Sequence, residues 1–78
     1  MVVNIENFNK LDEGTQSLIN WQYRACGGFE RALWTAISTA DGDNLTQLGR
    51  GFPKHVEAYR NYIGTASWWQ DVQRQIAI

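Results

Sequence analysis

A small all-α domain, built as a bundle of three to four short helices, is the fold that this sequence predicts. Glycines and the single proline divide the chain into segments of helical length. Within those segments the apolar residues recur at the spacing of one helix face. The chain has 78 residues, so we expect one domain with a small core of its own. We therefore also expect oligomerisation to complete the bundle.

The N-terminal residues are the least regular part of the sequence. Residues 1–8 contain apolar side chains, but no second strand follows with which they could pair, and an isolated β-strand would be an unprotected edge. We therefore expect residues 1–8 to form an extended coil arm that is free to pack on a neighbouring subunit. Residues 9–78 then form a single helical domain.

The first two helices lie in the N-terminal half of the chain. Carboxylates that suit the positive end of a helix dipole predict a helix that starts after Asn9 or Asp12. It runs to Cys26, with Gly27 as a left-handed cap. The second helix covers residues 29–41, where apolar side chains at helical spacing lie on one face. That face consists of Phe29, Ala32, Leu33, Ala36, Ile37 and Ala40, and Trp34 lies off it.

Two further helices follow a short helical turn that Asp43 or Asn44 caps. The third helix starts at Pro53, whose missing N–H is no loss at a first helical position, and it ends at Gly64. The fourth helix opens with residues 67–70, Ser-Trp-Trp-Gln, whose first and last members suit a capping box.

Composition excludes several classes of function. Seven Lys/Arg against eight Asp/Glu give a net charge of −1, which excludes non-specific binding to duplex nucleic acid or to an anionic membrane. A single cysteine excludes an internal disulfide. The N-terminus lacks the pattern of a signal peptide, and no apolar run is long enough to span a membrane. We therefore expect a cytoplasmic protein.

Catalysis and metal binding also find little support in the sequence. His55 and Cys26 are the only histidine and the only cysteine, they lie on different predicted helices, and nothing local marks either as activated. Residues 41–44 resemble the start of a calcium loop, but Thr46 and Phe52 stand where the glycine and the bidentate carboxylate belong. We expect no enzymatic activity, no bound metal and no cofactor.

A cationic stretch at the start of the third helix is the first feature that points to a ligand. Free backbone N–H groups and the positive dipole end favour an anion at such a place. The predicted binding residues are Arg50, Gly51, Lys54 and His55, with Arg60 further along the same helix and Arg24 from a neighbouring helix or subunit. The stretch matches neither the P-loop nor the dinucleotide-binding fingerprint. In the structural alternative, the glycines merely end one turn and begin the next.

The aromatic residues are the second such feature, because four tryptophans exceed what one small core needs. Trp68 and Trp69 diverge by about 100° on a helix, so both cannot face the core centre. We expect one of them, or Trp34, at the surface. An exposed ring of this kind, or Tyr59, suits stacking on a nucleobase or anchoring a protein interface. Alternatively the rings cover a thin bundle.

Three patterns stand out along residues 12–70. They are Leu33-Trp34-x-Ala36-Ile37-x-x-Ala40-Asp41-x-x-Asn44-x-x-x-Leu48, Gly51-Phe52-Pro53-x-x-Val56-x-x-Tyr59 and Trp68-Trp69. In these patterns the chain resembles a family of small all-α phage and prophage accessory proteins. The resemblance brings no known activity or catalytic residue. It implies expression in the host cytoplasm and, by class-level analogy, a counter-defence factor.

Two functional hypotheses follow. The first is an oligomeric sponge, a phage protein that sequesters a small anionic nucleotide immune signal such as a cyclic oligonucleotide or an ADP-ribose derivative. Phosphates then lie on the cationic stretch, and the base stacks on Trp34, Trp68, Trp69 or Tyr59. The alternative is a helical protein-interaction module that inhibits or adapts a host protein through a tryptophan-rich face.

Overall fold

The structure is a computed structural model that describes residues 3–78. Over this range the chain is helical without strands, which confirms the all-α prediction. The helices of the described residues are α1 (Ile5–Asn9), α2 (Glu13–Gln22), α3 (Gly28–Thr39), α4 (Gly42–Gly51), α5 (Pro53–Gly64) and α6 (Ala66–Ile76). Helices α1 and α4 form where the sequence predicts coil and a short turn.

The N-terminal segment is a helix because it is tied to the distant end of α6. The side chain of Asn4 accepts a hydrogen bond from the Asn7 N–H at 3.1 Å and caps α1. The Asn4 N–H donates to the carbonyl of Ile76 at 2.8 Å, and Asn7 Nδ2 donates to that of Gln75 at 2.9 Å. The coil prediction is therefore wrong for α1. Residues 1 and 2 of the predicted arm lie outside the described residues.

Helix α2 ends at Gln22 rather than at the predicted Cys26. Its start agrees with one of the two predicted positions, because the Asp12 carboxylate accepts a hydrogen bond from the first turn at 2.9 Å. The end is set by Arg24, which adopts a left-handed φ of 58°. Gly27, the predicted left-handed cap, has a φ of −77° and is instead the N-cap of α3.

Helix α3 covers most of the predicted second helix but buries a different face. Leu33 and Ile37 are buried as predicted, whereas Phe29 is 67% exposed. Trp34, predicted to lie off the apolar face, has no exposed surface. Its ring stacks on Trp21 with the centroids 5.2 Å apart and 7° between the planes. The buried face turns towards Trp34 because this pair of rings buries more apolar surface than the predicted alanines do.

Helix α4 replaces the predicted short turn and the glycine-rich loop after it. Asp41, rather than Asp43 or Asn44, is the N-cap, and its carboxylate accepts a hydrogen bond from the Asn44 N–H at 2.8 Å. The helix continues to Gly51, and a single residue separates it from α5. The glycines at this point therefore belong to a helix end.

The last two helices agree more closely with their predictions. Helix α5 begins at Pro53 and ends at Gly64, as predicted. Helix α6 has Thr65 as its N-cap without a side-chain hydrogen bond, so the predicted capping box over residues 67–70 is wrong. Both tryptophans of that stretch are half-buried.

Two groups of buried side chains hold the helices together. The larger group joins α2, α3, α4 and α5, and it consists of Leu18, Leu33, Trp34, Ile37, Leu45, Val56 and Ala58. The smaller group joins α2 and α6, and it consists of Ile19, Val72 and Ile76, with Val3, Phe8 and Leu11 packed against it. Trp68 and Trp69 contact both groups and connect them.

Helices α2 and α5 cross at Gly14 with backbone against backbone. A Cβ atom at Gly14 would lie 2.0 Å from the carbonyl oxygen of Lys54 and 2.6 Å from the amide nitrogen of His55. Both distances are far shorter than van der Waals contact, and neither backbone atom can rotate away. Only glycine permits this crossing.

We expect Gly14→Ala to destabilise the protein by about 3 kcal/mol or more, because the added methyl group must force the two helices apart. The matched control is Gly28→Ala, where no atom lies within 4 Å of the added Cβ. Urea unfolding of both variants measures the difference. A Gly14→Ala variant as stable as the control would contradict the backbone crossing.

Candidate functional site

The structure divides the predicted ligand site among separate places. Arg50 lies in the last turn of α4 and lines a groove together with Arg60. Lys54 pairs with Glu57, with 3.6 Å between Nζ and Oε2. His55 lines a different cavity. These cationic side chains therefore do not form one cluster.

The open glycine loop predicted at the start of α5 does not form. Gly51 is the last residue of α4, and the backbone of Gly14 lies against that of Lys54 and His55. The ring of Phe52 also packs against the His55 ring, with the centroids 5.7 Å apart. Because α2 packs against one side of this turn, less of it is open than the sequence predicts, and phosphate binding by its backbone amides stays a prediction.

Among the predicted stacking residues, Trp34 lies out of reach of a ligand. Its side chain is fully buried, and its Nε1–H donates to Ser17 Oγ at 2.8 Å. The ring lies between Trp21, on which it stacks, and His55, whose centroid is 5.6 Å away. A role for Trp34 in base stacking is therefore wrong. The remaining candidates, Tyr59, Trp68 and Trp69, are half-buried and pack against the core.

His55 belongs to a chain of polar groups that joins α2, α3 and α5. The hydroxyl of Ser17 accepts the hydrogen bond of Trp34 and donates to the carboxylate of Glu30. His55 Nε2 lies 3.6 Å from Oε2 of the same carboxylate. A buried indole N–H needs such a partner, so this chain fixes the position of the Trp34 ring.

A cavity of about 320 Å³ adjoins this polar chain. Cys26, Glu30 and His55 all line it. In the described part of the chain, no three side chains among histidine, cysteine, aspartate and glutamate are grouped so that they could hold a metal ion. The carboxylate of Glu30 already accepts a hydrogen bond from the Ser17 hydroxyl, so it contributes to the stability of the fold.

A surface cleft at the junction of α2 and α3 brings cationic and aromatic side chains together. It has a volume of about 490 Å³ and is lined by Trp21, Gln22, Arg24, Cys26 and Arg31. Both arginines are exposed. Within residues 3–78, neither arginine has a carboxylate within 4.0 Å. Their positive charge is therefore free to meet a ligand.

Arg24 reaches this cleft from an unusual backbone conformation. Its N–H donates to the carbonyl of Trp21 at 3.1 Å, and the N–H of Ala25 donates to that of Asn20 at 2.7 Å. These two bonds form a Schellman motif, whose left-handed position is usually glycine. An arginine with φ of 58° in that position costs free energy that glycine would not. Such a residue is a reason to look for a role of its side chain.

The sequence predicts one residue of this cleft, Arg24, and misses Trp21 and Arg31. Trp21 and Arg24 are three residues apart at a helix end, a spacing that places them close together and that could have indicated the pair. Arg31 comes from the next helix. Only the turn between α2 and α3 brings it to the cleft, so no local pattern indicates it.

Comparison of the chain with protein-family models, with curated proteins and with solved structures finds no match. The resemblance to small phage proteins therefore stays a prediction. None of the helices over residues 3–78 has both the length and the apolar character that crossing a membrane requires.

We expect Arg24→Gly to raise the free energy of unfolding by about 0.5–1 kcal/mol, because glycine relieves the left-handed strain. Arg24→Ala removes the same side chain but keeps the strain, so its stability should stay close to that of the parent chain. Urea unfolding separates the two variants. An Arg24→Gly variant no more stable than Arg24→Ala would contradict the left-handed strain, and a loss of stability in both variants would show that the guanidinium group stabilises the fold.

Proposed function

We propose that this chain is a non-enzymatic binding protein that captures a small anionic ligand carrying an aromatic base, of the nucleotide class. The single observation that carries the proposal is the cleft between α2 and α3. There, two arginines without carboxylate partners among the described residues line the same cleft as a tryptophan ring. We name it the Trp21 cleft, after the ring that lines it.

The side chains of the Trp21 cleft suit the parts of a nucleotide. A guanidinium group donates two parallel hydrogen bonds to a phosphate, and two such groups can hold two phosphates or both sides of one. An indole ring stacks on any base, with a contribution of about 1–3 kcal/mol. The amide of Gln22 both donates and accepts, as the edge of a base requires. The volume of about 490 Å³ lies within the usual range of small-ligand sites.

The Trp21 cleft is also formed before any ligand arrives, which favours tight capture. The Trp21 ring is held by its stack on the buried ring of Trp34. The backbone of Arg24 is held by the hydrogen bonds of the Schellman motif. Binding therefore costs little conformational entropy at these groups, so more of the interaction free energy contributes to affinity.

The resemblance to phage accessory proteins suggests the biological context in which the ligand is captured. A protein without catalytic groups acts on a second messenger by stoichiometric sequestration, so the proposed role is a sponge for a nucleotide immune signal in the host cytoplasm. Self-association suits that role, because it adds buried area that a small chain lacks. Large apolar side chains that stay exposed on the described single chain support it, and these are Ile5, Tyr23, Phe29, Ile63 and Ile78.

A protein-interaction module that acts through a tryptophan-rich face receives less support. No tryptophan is among the exposed large apolar side chains of the described residues. Trp34 is fully buried, and Trp68 and Trp69 pack against both core groups. Interface hot spots need a large ring that a partner can cover, and these rings are mostly covered already. Trp21 is half-buried as well, but it lines a cleft, which suits a small ligand better than the face of a protein partner.

Thermal unfolding in the presence of nucleotides tests the proposal. The panel consists of ADP-ribose, a cyclic dinucleotide, a cyclic trinucleotide and AMP, with adenosine and inorganic phosphate as controls. We expect at least one nucleotide to stabilise the chain, by about 2.7 kcal/mol at a hundredfold excess over its Kd. Neither control should match it, because each engages only half of the Trp21 cleft.

Substitutions then locate the site. Arg31→Gln should remove the stabilisation while leaving the unfolding midpoint of the free protein unchanged, since Arg31 is exposed. Arg50→Gln is the matched control on another helix and should keep it. If only Arg50→Gln lost the stabilisation by nucleotide, the ligand would bind near the start of α5 rather than in the Trp21 cleft. A panel without any stabilising nucleotide would reject the proposal.

A further inference from the structure

A second surface feature, independent of the Trp21 cleft, lies between α4 and α5. It is a groove of about 480 Å³ whose floor is formed by Leu45, Gly49, Pro53 and Val56. Arg50 and Arg60 line the same groove and are exposed. Two neighbouring helices joined by a single residue thus present an aliphatic floor with cationic side chains beside it.

The charges of this groove are not balanced by the chain itself. Neither Arg50 nor Arg60 has a carboxylate within 4.0 Å among the residues that the structure describes. The one acidic residue that lines the groove is Glu57, and its carboxylate lies 3.6 Å from Nζ of Lys54. An occupant of the groove would therefore gain by bringing carboxylates of its own.

The absence of a side chain at Gly49 keeps the floor of the groove open. A Cβ atom at Gly49 would lie 3.6 Å from Cγ1 of Val56, which is ordinary van der Waals contact. The fold therefore does not require glycine at this position, unlike at Gly14. Glycine in the interior of a helix weakens it, yet its presence here keeps the groove open down to the buried side chain of Val56, which is 5% exposed.

We propose that the groove between α4 and α5 docks an acidic amphipathic helix of a partner protein. Aliphatic side chains of the partner pack on the exposed ring of Pro53 and fill the space over Gly49, above the buried side chains of Leu45 and Val56, and its flanking carboxylates pair with Arg50 and Arg60. This is the helix-in-groove mode of recognition, with apolar anchors for affinity and charges for specificity. The aliphatic floor favours a peptide over a nucleic acid, because no aromatic ring lines the groove for bases to stack on.

A pair of fluorescent peptides of opposite charge tests the docking site. The first is an amphipathic helical peptide of about 15 residues with leucines on one face and glutamates beside them, and the second has lysines in place of the glutamates. Fluorescence anisotropy should give a Kd for the glutamate peptide at least tenfold lower than for the lysine peptide. Equal binding of the two, or binding of neither, would overturn the proposal.

Two variants assign the binding to the groove. The double variant Arg50→Glu/Arg60→Glu should reverse the preference, so that the lysine peptide becomes the tighter ligand. Gly49→Leu fills the floor and should weaken the glutamate peptide at least tenfold while circular dichroism and the melting midpoint stay those of a folded chain. Unchanged preference in the double variant would place the peptide elsewhere and overturn the proposal.

Two further measurements distinguish a partner helix from the other possible occupants of the groove, which are a second copy of the chain and a nucleic acid. Gel filtration of the double variant should show the oligomeric mass of the parent chain, whereas a change of mass would assign the groove to a second copy. A single-stranded oligonucleotide that displaces the peptide from the parent chain would assign it to nucleic acid. Either result would overturn the docking of a partner helix.

Discussion

The crossing of α2 and α5 at Gly14 is the constraint on which most of this structure depends. Because one backbone lies directly on the other, one side of the first turn of α5 is packed against α2 rather than open. The same crossing brings His55 to the face of Trp34 and to the carboxylate of Glu30. A missing side chain at one position thus decides which cationic residues remain free to bind a ligand.

The buried ring of Trp34 links the crossing of α2 and α5 to the Trp21 cleft at the surface. Trp34 is fixed by the hydroxyl of Ser17 and in turn supports the ring of Trp21, so a surface aromatic residue rests on a rigid interior one. The strained conformation of Arg24 follows at the end of the same helix. Local preference and global fold disagree at this residue, and such disagreements concentrate at functional positions. The positions of Trp21 and Arg24 in the Trp21 cleft therefore depend on packing in the core.

Local signals in the sequence predict some elements and cannot predict others. Pro53 and Gly64 mark the limits of α5 because proline and glycine act within one turn of the chain. Helix α1 depends on a hydrogen bond from the Asn4 N–H to the carbonyl of Ile76. No local sequence pattern indicates a partner so far along the chain. For the cap of α2, propensity favours Gly27, whereas the structure uses Arg24. The predicted cluster of cationic side chains is divided for the same reason, because Arg50 and His55, close in sequence at the corner of α4 and α5, line different cavities.

A row of packed aromatic side chains connects the Trp21 cleft to the groove between α4 and α5. Packing runs from Trp21 through Trp34 to His55, and the next residue, Val56, forms part of the floor of the groove. Contiguous packing does not by itself couple two sites, since coupling requires an element with two arrangements. The Gly14 crossing opposes a second arrangement, because sliding α2 along α5 brings backbone atoms together. The proposed ligand and the proposed partner helix would therefore bind independently, each leaving the affinity of the other unchanged.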